Sequence, residues 1–271
     1  MKQALVVVSF GTTHHDTLKR AIEATEQRLA AAFPDRDFFR AWTAHMVINK
    51  LKRRDGIHIP TPKELLKRLA EEGYEDILIQ TTHVTPGIEF LRVQDAVRAY
   101  GDRFQRIRLG RPLIYFQGGR SRGRAMPDDY LPVLAAYDSF LPASSPDHAV
   151  VLFGHGTAHP ANAIYAALQC RFQDTGRNVL VGTVDAYPTL EDVRRQLRAR
   201  GVRRVTLAPF MVVAGEHVKN DMAGEDEDSW KSTLTADGYQ VDVMLTGLGE
   251  LPAFQDIFIQ HARDAATHAL W

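Results

Sequence analysis

The sequence predicts an α/β protein of two similar Rossmann-like lobes, each a parallel β-sheet flanked by helices. Three observations support this fold class. Short apolar runs alternate with amphipathic stretches, one half of the chain repeats the pattern of the other, and a segment rich in Gly and Arg lies near the middle of the 271 residues. Such alternation is typical of βαβ units, in which helices cover both faces of a parallel sheet.

Five apolar runs have the length of buried strands. They are rich in Val, Ile, Leu and Phe, which is typical of parallel strands that are covered on both faces. The runs are Leu5–Phe10, Ile77–Gln80, Ala149–Phe153, Asn178–Val181 and Val205–Phe210.

Four amphipathic stretches predict helices between these strands. Pro-Thr pairs at 60–61 and 188–189 are start signals for two of them, and Gly73 and Gly201 are the matching stop signals. The four stretches are Thr17–Ala32, Thr61–Gly73, Asn162–Gln173 and Thr189–Gly201.

The segment FQGGRSRGRAMPDDY, residues 116–130, predicts the border between the lobes, because Gly and Pro accumulate in connecting segments. We therefore expect an N-terminal α/β lobe over 1–125 and a C-terminal α/β lobe over 126–250. A C-terminal helix over 251–271 is expected to pack back on the N-terminal lobe.

An internal repeat is the most informative feature of the sequence. Residues 59–90 align without a gap with residues 187–218, 128 positions further on, and a second alignment pairs 9–14 with 154–159. Glycines and the Pro-Thr pairs recur at the same places in both copies. Two such lobes, related by a pseudo-two-fold axis, would hold a ligand between them near the carboxyl ends of the strands.

The repeat singles out three side chains. His155 stands where the first copy has Phe10, and His217 stands where it has Glu89. We expect His155, His217 and Glu89 to face one cleft. Two imidazoles and a carboxylate suit Co, Ni, Fe or Zn, and a neutral imidazole can also accept a proton near pH 7. A hydrogen-bonded or surface role is common for a histidine, but the repeat favours a site for these two.

Composition and missing motifs narrow the function classes. Lys+Arg and Asp+Glu are balanced at 33 each, which provides no basic excess for nucleic acid. Cys170 is the single cysteine, so sites that need several cysteines are excluded. Because no nucleotide-binding, HExxH, GxSxG or CxxC motif occurs, we expect no organic cofactor. The N-terminus has the pattern of a first strand, and no apolar run reaches about 18 residues, so a cytoplasmic protein without a membrane partner is expected.

A set of motifs, in order along most of the chain, resembles a known family. The motifs are VVVSFGTT, KLKRRDG, PTPKELLKRLAEEGYEDILIQTTHVTPGIEF, LFGHGT, GTVDAYP and APFMVVAGEHVKNDMAGEDEDSWK. Together they resemble the sirohydrochlorin cobaltochelatases, the anaerobic cobalt chelatase family of cobalamin biosynthesis. These are class II chelatases, and ferrochelatase is a distant relative with the same bilobal fold, so the resemblance implies a chelatase-like fold.

The resemblance also implies the reaction and the site. Co²⁺ is inserted into sirohydrochlorin with release of two protons and without ATP, so the expected partners are a small tetrapyrrole and a divalent metal. His155 and His217 match the metal-site histidines, and Glu89 matches the active-site glutamate. We expect His155 to act as ligand and proton acceptor and Glu89 as acceptor or relay. Asp185 stands where the family commonly has a glutamate that contacts cobalt, so a water bridge to the metal competes with direct coordination.

Substrate contacts are expected around the first copy of the Gly-Thr turn and the segment that precedes Glu89. These contacts would include backbone N–H groups that bind the carboxylates of the tetrapyrrole. For His83, a bracing role in its turn competes with a place in the cleft. The expected substrate-binding residues are Phe10, Gly11, Thr12, Thr13, His83 and Gly87.

Three alternatives stay open at the level of sequence. The same site could insert Fe²⁺ to make sirohaem, or it could insert Ni²⁺, because His and carboxylate ligands discriminate poorly among these metals. A non-catalytic tetrapyrrole or metal carrier is the alternative from another class. A homo-oligomer is compatible with the sequence.

Overall fold

The computed structural model describes residues 1–121 and 123–267. The chain divides into two compact units. The first consists of residues 1–115 together with the segment that begins at Gly249, and the second is Phe116–Leu248. The division expected from sequence is 1–125, 126–250 and 251–271, and residues 268–271 of the expected C-terminal helix lie outside the described residues.

The first unit contains a four-stranded parallel sheet with the strand order β2-β1-β3-β4. Its strands are β1 (Gln3–Ser9), β2 (Asp37–Trp42), β3 (Asp76–Thr81) and β4 (Arg106–Gly110).

The second unit contains a short antiparallel hairpin and a second four-stranded parallel sheet with the order β10-β9-β7-β8. The hairpin strands are β5 (Arg120–Ser121) and β6 (Arg124–Ala125). The strands of the parallel sheet are β7 (His148–Gly154), β8 (Val179–Thr183), β9 (Arg204–Pro209) and β10 (Gln240–Val243).

Helices connect the strands in both units. The α-helices are α1 (His15–Thr17), α2 (Ala24–Ala32), α3 (His45–Asp55), α4 (Pro62–Glu71), α5 (Ile88–Tyr100), α6 (Tyr130–Asp138), α7 (Ala163–Asp174), α8 (Leu190–Arg200), α9 (Trp230–Ala236) and α10 (Pro252–Thr267). π-Helical turns cover Leu18–Glu23 and Val218–Met222. Short 3₁₀ turns cover Gly101–Arg103, Pro160–Asn162 and Leu248–Glu250. Within 1–121 and 123–267, no helix combines the length and the apolar character that a membrane span requires.

The core explains why β1 is apolar at successive positions. Its even-numbered residues from Ala4 to Val8 pack in one cluster with α4 and α5. Its odd-numbered residues Leu5 and Val7 pack in another cluster with α2 and α10. Because successive side chains of a strand point to opposite faces, helices on both faces bury every residue of this run.

The strand order confirms two similar α/β lobes with parallel sheets. Counted along the chain within each parallel sheet, the first strand lies between the second and the third, and the fourth pairs with the third. The helix that leads into the third strand begins in the same way in both units. Thr61 forms a capping box with Glu64 at the start of α4, and Thr189 forms one with Asp192 at the start of α8. The sequence repeat is therefore also a repeat of local structure.

A buried histidine follows β3 in the first unit. The whole of His83 is 8 % exposed, and its Nε2 lies 3.1 Å from Thr43 Oγ1. Its Nδ1 contacts the hydroxyl of Thr81. Burial, with a smaller contribution from the nearby charge of Arg92, lowers the pKa of His83 to about 3. This imidazole is therefore neutral in the folded protein throughout the physiological pH range.

We expect the cap at Thr189 to stabilise α8. Thr189→Ala removes the hydroxyl that accepts a hydrogen bond from the Asp192 N–H, at 3.3 Å, and should lower the free energy of unfolding by about 1 kcal/mol. Thr189→Ser keeps the acceptor and is the matched control. Urea unfolding measures both, and an equal loss for the two variants would contradict the assignment.

We also expect His83 to make stability depend on pH. The unfolded state takes up a proton near pH 6.5 and the folded state does so only near pH 3, so stability is lost as the pH falls below 6.5. Between pH 7 and pH 5 this loss amounts to about 2 kcal/mol. His83→Gln does not titrate and should reduce the fall in unfolding free energy by that amount. Equal pH dependence in wild type and variant would refute this role.

Candidate metal and catalytic site

In the second unit, two histidines and an aspartate lie at the carboxyl edge of the parallel sheet. His155 is the first residue after β7, and Asp185 is the second after β8. The Asp185 N–H donates to the His155 carbonyl over 2.9 Å, which ties the two loops together. His217 lies on the segment that follows β9, just before a π-helical turn. Parallel strands end at one edge of a sheet, and this topology brings the three residues near one another.

His155 and His217 are in direct contact. Their ring centroids lie 4.8 Å apart, and the two planes are nearly perpendicular at 88°. The side chains are 43 % and 42 % exposed, so a dissolved ion or a ligand can reach both rings. The sequence repeat predicts a site that contains both histidines, and the fold of this unit places their rings edge to face.

The turn that carries His155 requires a glycine at the next position. Gly156 has a φ of +85°, and a Cβ there would lie 2.8 Å from the Cβ of Ala186. Only a residue without a side chain allows the loop after β7 to approach the loop after β8 so closely. This approach holds His155 Nδ1 3.6 Å from an Asp185 carboxylate oxygen, which is an ion-pair distance rather than a hydrogen bond. The Gly156 carbonyl lies closer, 3.0 Å from the same nitrogen.

His217 is positioned by the π-helical turn. The Ala223 N–H bonds to the Val218 carbonyl, five residues back, and this bond widens the helix locally. Gly224 lies two residues after the turn, and a Cβ there would lie 2.4 Å from the carbonyl oxygen of Asn220. His217 Nδ1 lies 2.7 Å from Asp221 Oδ2. Such turns are frequent at functional sites.

These contacts determine which ring nitrogen is available in each histidine. A carbonyl oxygen and an ionised carboxylate only accept hydrogen bonds, so the Nδ1 atoms of His155 and His217 carry the hydrogen. The Nε2 atoms then hold lone pairs. In the part of the chain that the structure describes, neither Nε2 is used in a hydrogen bond. A neutral imidazole in this tautomer is a good ligand for a divalent metal.

The ligand set in this unit is small. No group of three or more His, Cys, Asp or Glu side chains is arranged to hold a metal ion among residues 1–121 and 123–267. Two imidazoles would leave most coordination positions of a bound ion to water or to another ligand.

Glu89 lies in the first unit, at the second position of α5. Arg92 Nη1 lies 2.9 Å from its Oε1 and also donates to the Thr43 carbonyl over 2.9 Å. The side chain of Glu89 is 25 % exposed. A carboxylate in the first turn of a helix is favoured by the partial positive charge at that end. Glu89 is therefore an oriented anion that keeps access to solvent.

The expected substrate-binding residues also lie in the first unit, and they differ in exposure and in the hydrogen bonds that they already make. Phe10 follows β1 and is 45 % exposed, so much of its ring is available for contact. Gly11 has a φ of +104° and shapes the turn. Thr12 is buried, and its hydroxyl accepts from the His14 N–H over 3.2 Å.

The remaining expected residues are Thr13, Gly87 and His83, and each has a polar group that already has a partner. The Thr13 carbonyl accepts from Arg54 over 2.7 Å. The Gly87 carbonyl accepts the first backbone hydrogen bond of α5, from Leu91 over 3.1 Å. His83, described above, is buried between two threonine hydroxyls.

Sequence reasoning missed two residues that shape the site in the second unit. Asn162 accepts from the Thr157 N–H over 3.0 Å and donates to the Tyr187 carbonyl over 2.6 Å, so it links the loops that follow β7 and β8. Asp221 lies against His217. The spacing of four residues between His217 and Asp221 is the signal that could have revealed this pair, since such positions share a helix face.

Comparison with known proteins identifies the family. The family model described as cobalt chelatase (CbiK) matches residues 3–267. A sirohydrochlorin cobaltochelatase of Salmonella typhimurium is 41 % identical over 270 residues, covering 100 % of this chain and 98 % of the relative. The sirohydrochlorin cobaltochelatase CbiKC of Nitratidesulfovibrio vulgaris is 29 % identical over 272 residues, covering 98 % and 91 %.

Solved structures support the fold. SirB from Bacillus subtilis, solved with Fe³⁺, superposes with a TM-score of 0.64 at 15 % identity, covering 98 % of this chain and 96 % of that one. At this level of identity the likeness concerns the fold alone. The match over residues 3–267 and the 41 % identity to the Salmonella relative lead to one conclusion: the chain belongs to the cobalt chelatase family.

Proposed function

We propose that this chain is a sirohydrochlorin cobaltochelatase, which inserts Co²⁺ into sirohydrochlorin and releases two protons as a step of anaerobic cobalamin biosynthesis. The observation that carries the proposal is the contact of His155 and His217 at 4.8 Å, with both Nδ1 atoms facing acceptors. Two oriented Nε2 lone pairs at a solvent-accessible edge of the sheet form a binding site for a divalent cation. The relationship to curated cobaltochelatases selects cobalt among the metals that imidazoles bind.

Metal capture is the first role of the histidine pair. Co²⁺ exchanges part of its water shell for the Nε2 atoms of His155 and His217, which fix the direction from which the ion meets the macrocycle. This is catalysis by positioning, because a metal and a ring that meet at random in solution become neighbours held in one geometry. The remaining coordination positions stay open for the nitrogens of the tetrapyrrole.

Proton transfer accompanies the movement of the metal. Sirohydrochlorin loses two N–H protons when its four ring nitrogens bind Co²⁺, so two acceptors are required. His155 regains a free Nε2 lone pair as the metal leaves it and can accept one proton. Glu89 is the second acceptor or relay, a role supported by its ionised, partly exposed carboxylate and by its position equivalent to His217 in the repeat. The metal exchanges one set of nitrogen ligands for another, and no step needs ATP.

Asp185 supports His155 in this scheme. The separation of 3.6 Å between its carboxylate and His155 Nδ1 favours an electrostatic contact with the ring on the side away from the available Nε2. We propose that Asp185 orients His155 and reaches the metal through water rather than by direct coordination.

The first unit supplies further contacts in this proposal. The exposed ring of Phe10 packs against the macrocycle, and the backbone of the turn at Gly11 and Thr13 binds carboxylate side chains of the substrate. Thr12 and His83 are proposed to support these turns from inside, as suggested by their burial. Gly87 sets the start of the helix that carries Glu89.

Removal of both imidazoles should abolish metal insertion. In the His155→Ala plus His217→Ala variant, we expect Co²⁺ insertion to fall to the rate in buffer, because no oriented nitrogen ligands remain. Absorbance of sirohydrochlorin after addition of Co²⁺ measures the reaction. His58→Ala, which removes an exposed histidine of the first unit, is the control. A wild type that binds the pigment but inserts Co²⁺ no faster than buffer would identify a carrier instead of an enzyme.

Loss of the Glu89 carboxylate should slow turnover without weakening metal binding. Glu89→Gln cannot accept a proton, and general-base catalysis typically contributes at least about 100-fold, so kcat should fall by that order. The KM for Co²⁺ should stay close to that of wild type, because the imidazoles bind the ion. Glu89→Asp keeps the carboxylate and should recover part of kcat. A change confined to KM would exclude the proposed role.

A further inference from the structure

We propose that Asp221 is a positioning residue that holds His217 in the tautomer and orientation required to receive the metal. The carboxylate oxygen Oδ2 lies 2.7 Å from His217 Nδ1, the shortest polar contact of either ring of the pair. The inference rests on the proposed function, because it assigns a role to His217 as a metal ligand.

The bond determines where the hydrogen of His217 is located. An ionised carboxylate only accepts, so the contact keeps the hydrogen on Nδ1 and leaves Nε2 with its lone pair. Such an arrangement fixes the tautomer and the plane of a ligating imidazole ring. Without this partner, a neutral imidazole can move its hydrogen to Nε2, where it blocks the metal.

The neighbouring side-chain amide has another partner. Asn220, the residue before Asp221, donates to Glu216 Oε1 over 3.0 Å. The side chain of Asp221 is 46 % exposed, and even a full ion pair exposed to that extent contributes little to folding stability. A role in stability therefore accounts poorly for this contact, whereas a role in orienting the ring accounts for it well.

The two histidines of the pair are held differently. His155 Nδ1 faces the neutral Gly156 carbonyl at 3.0 Å, with the carboxylate of Asp185 farther away at 3.6 Å. His217 has a charged acceptor within hydrogen-bond distance. Charge-assisted hydrogen bonds are roughly twice as strong as neutral ones, so His217 is the more firmly oriented ligand.

The test compares Asp221→Ala with Asp221→Glu, which restores a carboxylate, and with Asp228→Ala, the same change at an exposed acid in the same unit. Calorimetric titration with Co²⁺ alone should show an affinity about 10- to 100-fold lower in Asp221→Ala, which is the usual loss for such a partner. The KM for Co²⁺ should rise accordingly. Asp221→Glu should recover part of the affinity, and Asp228→Ala should behave as wild type.

A spectroscopic readout separates orientation from general damage to the fold. Two-bond ¹H–¹⁵N correlation spectra report the tautomer of each histidine, and the ring of His217 should change from the Nδ1–H form to the Nε2–H form in Asp221→Ala. An unchanged tautomer together with a Co²⁺ affinity within twofold of wild type would overturn the proposal. The calorimetric titration and the NMR spectra are both recorded without the tetrapyrrole. They therefore test the role of Asp221 even if the protein binds Co²⁺ without inserting it, a result that would refute only the proposed function.

Discussion

The contact between the rings of His155 and His217 depends on a constraint of parallel sheets. Strands that run in one direction end at one edge, and the loops that leave this edge must share a small volume. In the second unit, the turn at Gly156 and the π-helical turn at Val218–Met222 narrow that volume further. The side chains that could bind a metal lie on these loops, while the strands beneath them, β7, β8 and β9, are largely buried and provide a rigid support.

The duplicated architecture presents equivalent loops at the carboxyl edge of both parallel sheets. Both units present a loop after the first strand and a helix start after the third at the carboxyl edge of the sheet. In the second unit these positions carry His155 and His217, and in the first they carry Phe10 and Glu89. The same backbone pattern thus carries two imidazoles in one copy, and an aromatic ring with a carboxylate in the other.

The sequence predicts strands with a continuous apolar run better than strands that lack one. The five predicted strands are all present, whereas β2, β4 and β10 of the parallel sheets and the hairpin strands β5 and β6 were missed. β2, β4 and β10 are edge strands with partly exposed residues and no continuous apolar run. The pattern of apolar residues reveals a strand only when buried and exposed positions alternate or when the apolar run is continuous. The repeat drew attention to His155 and His217 because equivalent positions share a backbone environment. The bond between Asp221 and His217 depends on side-chain rotamers and on a π-helical turn, neither of which a pattern of apolar residues encodes. Glu89 and the substrate contacts stay predictions.

The exposure of both imidazoles bears on the choice among competing metal ions. Affinity for nitrogen donors rises from cobalt to nickel to copper, so an accessible pair of rings has no intrinsic preference for cobalt. Under the proposed function, discrimination among metals would therefore rest with the cell rather than with these two rings. The ion that enters the pigment would follow from how the free pools of competing metals are regulated, and a surplus of copper or nickel would lower the purity of the product.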